Sequence, residues 1–440
     1  MRMSLSGPGS SGTRGRTVRG LRRVAGAAAL VVVVAAVCLL ATADAVRIPA
    51  AAAGSAQTLA REGAGGITLK VGLFPWVPRP HQVEDVIAAA WQQRHPDVPL
   101  TLVFWDCYSS YPPPKLDVFV FDAIYLDDIV QHGLAQPLAE GEIDDVADLL
   151  PYSLQAARSD TGTLYGIPQY GCAKLLFYRR GDDALAAATD LDDVVRALGT
   201  GTYSGLKPPP GKGLIVDLSD PISDGCLYVE ALEDSYGVYT ADPPLAPNAA
   251  RLDPWAVDNT RDLLRMASGK EANYLSPDQF RRAAWFGRGL GRALIDYSES
   301  LCDMGPAGQA SAELKIMPFS DRGDVPLFYA DLVSLSPGVG TGERRRLALE
   351  LANLIASTDV MVNALGPWKD YPSPQYLFPL RRSVYDELTP RYPLYARMYE
   401  LIGADAGSST EPRPFRLGAD ARHWLDTMGP VVKRQVFATP

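Results

Sequence analysis

Short apolar runs alternate along this chain with stretches in which apolar side chains recur at helical spacing. Ile67–Phe74 alternates as a strand does, and Val83, Val86, Ile87, Ala90 and Trp91 mark a helix over Gln82–Gln93. Leu100–Trp105 and Leu116–Phe121 are again strand-like, and Ala123 to about Gly133 is helical. The opening order is β-α-β-β-α, with apolar strands of the kind covered by helix layers. Beyond it, Ile143–Ala157 reads as helix, and Thr163–Ile167 and Lys174–Tyr178 read as paired strands around a turn at Pro168–Cys172. The pattern then predicts strand Gly213–Leu218, helices Gly225–Tyr236, Pro254–Ser268 and Pro277–Gly289, and strand Arg292–Asp296. Strands Leu314–Pro318 and Val325–Ser334 follow, then one long helix from Gly342 to about Leu365 and tail helices Leu394–Ile402 and Ala421–Met428. Such alternation predicts an α/β chain in two lobes, crossed more than once. We expect a first lobe of 66–168 with about 314–365, and a second of about 169–313 with 366–440. Ligands of α/β folds sit in crevices at the carboxyl ends of strands.

The first 45 of the 440 residues stand apart from this pattern. They combine Arg2, Arg14, Arg16, Arg19, Arg22 and Arg23 with an apolar run from Val24 to Ala41 and the small residues Ala43-Asp44-Ala45. This is the layout of a secretory signal, expected to be cleaved near Ala45. An N-terminal membrane anchor is the alternative, since the run nearly spans a bilayer. Arg22-Arg23 leaves Sec and twin-arginine export both open. Residues 46–65, rich in Ala, Gly and Ser, read as a flexible lead-in. Six of the 42 basic residues and one of the 51 acidic ones lie in the first 45, so the remainder carries a net charge of −14. An acidic exported protein is a poor binder of nucleic acid or anionic membrane, and suits a cationic or neutral small ligand. We expect no stable membrane partner and a monomer.

Cys107, Cys172, Cys226 and Cys302 remain after cleavage, with no C-x-x-C among them and few histidines, so a structural zinc site is not indicated. No P-loop, dinucleotide fingerprint, H-E-x-x-H or G-x-S-x-G elbow occurs, and no cofactor is implied. Cys172 sits in the Gly- and Pro-punctuated segment Gly166–Cys172, where a thiol could face a cleft. Taken alone, a single cysteine reads as a small buried apolar residue. Glu299 follows an apolar strand in Tyr297-Ser298-Glu299; a carboxylate there could serve a thiol as general base, or Ser298 could simply cap a helix whose first turn holds the acid. Asp122 and Asp331 close strands, which suits a ligand crevice, although Asp122 is equally placed to cap the next helix. Trp76, Tyr108, Tyr228, Tyr297 and Tyr329 recur near the same strand ends, and rings beside carboxylates suit a flat cationic ligand.

At these residues the chain resembles thiaminase I, the bacterial exported thiamine pyridinylases. The matching segments are Pro75-Trp-Val-Pro78, Trp105-Asp-Cys-Tyr-Ser109, Leu116–Asp122, Tyr165-Gly-Ile-Pro-Gln169 through Cys172 to Tyr178, Tyr297-Ser-Glu299 and Phe328-Tyr-Ala-Asp331. The resemblance implies a two-lobed fold like the periplasmic solute-binding proteins (type II), with a deep cleft between lobes. It implies that Cys172 adds to C6 of the thiamine pyrimidine, with Glu299 as general acid and base. Asp122 and Asp331 would hold the aminopyrimidine, and Tyr108, Tyr297 and Tyr329 would form its walls. The thiazole would leave and an amine, pyridine or thiol would take its place. If Cys172 is free, at most one disulfide can join two of the other three cysteines. The rival reading is a thiamine- or pyrimidine-binding protein of an ABC importer, which would share the fold but has no use for a thiol and a glutamate in the cleft.

Overall fold

The computed structural model describes residues 66–437, apart from 203–206, 237–244, 246–247, 269–278, 322–325, 370 and 403–411. The signal-like residues 1–45 and the lead-in 46–65 lie outside the described residues.

Among the described residues, two sheets are built from eleven strands. β1 (Leu69–Leu73), β2 (Leu100–Phe104), β3 (Val118–Asp122) and β4 (Ile167–Cys172) open the chain, followed by β5 (Lys174–Arg179) and β6 (Pro210–Ile215). β7 (Gly291–Tyr297), β8 (Ala312–Ile316), β9 (Leu327–Leu335), β10 (Phe378–Pro379) and β11 (Arg413–Pro414) complete them. The first sheet runs β10-β4-β9-β3-β1-β2, with β11 added on β9; the second runs β6-β7-β5-β8. β9 is the key insertion: a strand from late in the chain enters antiparallel between β3 and β4. It is buried along its whole length, Asp331 and Ser334 included, as a mostly apolar strand between two neighbours should be.

Helices cover both sheets. The Pro80–Arg94 helix opens on a proline, whose fixed φ suits a first helical turn, and packs against β2 and the Glu343–Ile355 and Thr358–Leu365 helices. The Pro221–Tyr236, Pro254–Met266 and Ala421–Phe437 helices pack together, the last also reaching the turn Ala123–Tyr125 beside the first sheet.

The structure departs from the sequence pattern in instructive places. Pro168–Cys172 is not a turn: β4 continues through it, and β4 and β5 belong to different sheets. The ladder of β4 with β9 shifts register between Pro168 and Gly171, which accommodates the proline. The expected long helix breaks at Ser357, whose hydroxyl caps the second piece through Val360 N–H, and the two pieces bend by 48°. Residues 366–440 were expected with the second lobe, yet β10 and β11 join the first sheet; β8, from 312, belongs to the second. Cys107, Cys172, Cys226 and Cys302 are all free thiols.

Gly171 is required by close approach. A Cβ there would lie 2.2 Å from the Tyr329 carbonyl oxygen on β9. Gly171→Ala should therefore cost about 1–3 kcal/mol of stability, as overpacking does, and displace Cys172. Urea denaturation checks this; a variant as stable as the parent would show that β4 and β9 have slack there.

Candidate active site

β4 ends at Cys172 and β5 begins at Lys174, so the chain crosses from one sheet to the other through Ala173 alone. Around this crossing the ladders bring distant residues together. Cys172 pairs with Tyr329 across β4 and β9, and Asp122 stands directly opposite Asp331 across β3 and β9. On the second sheet Lys174 pairs with Tyr297 across β5 and β7, and Glu299 follows in the 3-10 turn Ser298–Asp303. Seven residues singled out in the sequence thus converge: Cys172, Glu299, Asp122, Asp331, Tyr108, Tyr297 and Tyr329. Cys172, Tyr108 and Tyr297 keep partial access to solvent, whereas the carboxyls are buried.

Asp122 fills the capping role foreseen for it. One oxygen accepts Ile124 N–H at 3.0 Å, capping the short turn, and the other accepts the Tyr108 hydroxyl at 2.5 Å. The Tyr108 loop is fixed by Arg422 of the C-terminal helix, whose guanidinium donates to the carbonyls of Cys107 at 2.7 Å and Tyr108 at 3.0 Å. It also lies over the Tyr125 ring at 4.6 Å. Ser298 does not cap a helix; its hydroxyl donates to the Glu299 carboxyl at 3.4 Å. The Tyr297 and Tyr329 rings meet edge to face with centroids 5.4 Å apart.

Trp76 and Tyr228 are the other two aromatic residues singled out in the sequence. Trp76 is 60% exposed in the loop after β1, where Phe74 and Val77 take the buried positions and leave it pointing outward. Tyr228 is buried on the Pro221–Tyr236 helix, stacked on Trp424, its hydroxyl accepting from Asp253 N–H at 2.9 Å. Cys226 and Glu230, one helical turn apart, share the face toward the site; Tyr228 between them points away.

The electrostatics are those of a site in which acids outnumber the one buried ammonium, Lys174. Burial raises the carboxyls of Asp122 and Asp331, and mutual repulsion across the ladder adds to the rise at Asp331, so the pair holds a proton. The Asp331 backbone pairs in the ladder, while its buried carboxyl has no hydrogen-bond partner among the described residues. Burial, with the charge of Asp296 added, lifts Glu299 to about 8. Burial and then Glu299, Asp122 and Asp331 push the Cys172 thiol well up, against the pull of Lys174. A cation bound here would ease every one of these repulsions. Among the described residues no group of three or more His, Cys, Asp or Glu is disposed to hold a metal ion.

The chain that carries this arrangement has relatives among known proteins. The Thiaminase-1 domain matches residues 173–320. Thiaminase-1 of Paenibacillus thiaminolyticus is 37% identical over 382 residues, covering 85% of this chain and 89% of that one. The chain belongs to the thiaminase I family. The structure of Clostridium botulinum thiaminase I in complex with thiamin is 34% identical, with a TM-score of 0.79, covering 84% of this chain and 99% of the other. An ABC transporter solute binding protein from Agrobacterium radiobacter, in complex with ribitol, superposes at a TM-score of 0.60 with 14% identity, covering 84% and 97%. The fold is thus two-lobed and of the periplasmic-binding-protein kind, and membership of the thiaminase I family makes the chain a thiamine-degrading enzyme, a thiamine pyridinylase, rather than an importer's binding component.

Pattern reading missed Lys174 and Glu230. Both are charged residues in otherwise apolar segments, LLFY on β5 and the Cys226–Leu232 stretch of the helix, and that interruption was the available signal.

The raised Glu299 has a consequence for stability. Its folded value of about 8 exceeds the ordinary carboxyl value of 4.5, so its contribution is full below 4.5 and lost as pH rises through 8. Glu299→Gln removes that loss. The variant's thermal midpoint should gain on the parent between pH 5 and pH 9, by an amount reflecting a few kcal/mol at most. Parallel midpoint curves across that range would show that Glu299 ionises without penalty.

Proposed function

We propose that this chain transfers the pyrimidinylmethyl group of thiamine to an amine, pyridine or thiol through a covalent adduct on Cys172. Cys172 gives its proton to Glu299, and the thiolate adds to C6 of the aminopyrimidine. The electron pair displaced into the ring is taken up at a ring nitrogen as Glu299 returns the proton there. The electron-rich ring then expels the thiazole: the bond between methylene and thiazolium nitrogen breaks, and its pair neutralises the thiazolium charge. The acceptor's lone pair attacks the exposed methylene. Glu299 removes the ring proton, sulfur leaves C6 as thiolate, and the enzyme is restored. Asp122 and Asp331 hold the aminopyrimidine edge, one as carboxylate and one as acid, while Tyr108, Tyr297 and Tyr329 supply ring faces and edges for a cationic substrate.

The observation that carries this reading is the placement of Cys172 at the end of β4, within the field of Glu299 and the opposed aspartates. The basic, apolar and small-residue order of the first 45 residues supports export with cleavage near Ala45, and a two-lobed chain is simplest as a monomer.

The direct test incubates the chain with thiamine and an aromatic amine and follows the products by mass spectrometry. We expect free thiazole and a pyrimidinylmethyl–amine adduct, absent with Cys172→Ser although that variant still binds thiamine. Full turnover by the serine variant would remove Cys172 from the chemistry. Because Glu299 must be ionised to take the thiol proton, kcat/KM should climb as pH approaches 8, and Glu299→Gln should lose that limb along with most of the rate. Asp331→Asn should raise KM about tenfold or more, the worth of one charge-assisted hydrogen bond; an unaltered KM would exclude it from the substrate contacts.

A further inference from the structure

Lys174 is a buried cation in a site otherwise made of acids and a thiol, two residues beyond Cys172. Its ammonium lies 2.6 Å from a Glu230 carboxylate oxygen and 2.7 Å from the Tyr329 hydroxyl, which itself donates to the same oxygen at 2.8 Å. It also stands 4.9 Å from the centroids of both the Tyr297 and Tyr329 rings. Lys174 and Tyr297 belong to the second sheet and Tyr329 to the first, with Glu230 on the Pro221–Tyr236 helix. One ammonium thus joins three elements across the crossing that carries Cys172.

We propose that Lys174 is a positioning residue that fastens the two sheets beside Cys172 and supplies the standing positive charge that favours the thiolate before any substrate arrives. The proposal rests on Cys172 being the nucleophile. The charged and titratable groups facing the Cys172 thiol are Glu299, Asp122 and Asp331, the phenols of Tyr152 and Tyr297, and Lys174. Every acid among them disfavours a thiolate, and Lys174 is the cation that opposes them. The charge itself is secure: burial works against it, but Glu230 prevails and holds the ammonium above its ordinary value. Two tyrosine faces and an ion pair fix the ammonium, so its field is directional, as an ammonium in solvent would not be. Its position also orders the substrate, because the thiazolium of thiamine would meet a like charge at Lys174 and is steered to the far side of the thiol.

A buried Lys–Glu pair could instead serve as mechanical attachment alone, and the test separates the two roles. The rate of iodoacetamide alkylation at Cys172 is measured against pH in the full chain without thiamine, the modified peptide being identified by mass spectrometry. Lys174→Met removes charge and hydrogen bonds; Lys174→Gln removes charge but keeps a donor toward Glu230 and Tyr329; Lys174→Arg keeps the charge. Loss of the nearby cation should raise the apparent thiol pKa by about one unit or more in both neutral variants, slowing alkylation at neutral pH about tenfold, while Arg stays near the parent. A parent-like profile for Lys174→Gln overturns the proposal and leaves Lys174 as attachment only. Should Lys174→Met not fold, the Gln and Arg pair decides alone. Failure of the nucleophile assignment would show separately, as thiamine turnover surviving in Cys172→Ser.

Discussion

Two carboxyls face each other on neighbouring antiparallel strands, and much of the site exists because of that opposition. Asp122 and Asp331 are buried and in register, so they cannot both ionise cheaply. Glu299 and the Cys172 thiol stand in the same field. The molecule accepts this repulsion and manages it with a backbone N–H and a phenol at Asp122, a shared proton at the pair, and a clamped ammonium at Lys174. The acids still outnumber the one ammonium, a balance that suits a cationic substrate.

The supporting structure follows from the need to hold those acids in place. β9 has to arrive antiparallel between β3 and β4, since only that insertion sets Asp331 against Asp122 and Tyr329 against Cys172 at once. Arg422, from the last helix, fastens the loop whose Tyr108 hydroxyl satisfies Asp122. The frame is shared with solute-binding proteins of low identity, so the sheets do not specify chemistry. In the proposed mechanism the thiol, the glutamate and the buried lysine do.

Much of this was legible in the sequence. Period-two and helical spacing located β1 to β3, β7, β9 and most helices, strand-end position picked out Asp122 and Glu299, and glycine and proline punctuation picked out Cys172; Asp331, read as closing a strand, lies midway along β9 because the strand runs on through it to Leu335. Local pattern failed where the deciding contact is distant. Pro168–Cys172 looks like a turn because its punctuation is local, while β9, the partner that makes it a strand, comes from far along the chain. The break at Ser357 was hidden because apolar spacing continues on both sides of the cap. Tyr228 was grouped with the site by its type, but helical phase turns it away while Cys226 and Glu230 face inward. Trp76 stands exposed because Phe74 and Val77 claim the interior beside it.

The single residue between β4 and β5 carries a further meaning. Side chains alternate faces along a strand, so one residue added or lost at Ala173 would turn either Cys172 or Lys174 away from the other. No loop exists there to absorb the change, and Gly171 already abuts the neighbouring backbone. Length variation can accumulate in connections elsewhere on the surface, but at this crossing the reading frame of the sheets and that of the chemistry are one. Lineages that keep the activity should therefore keep this spacing even where the surrounding letters drift.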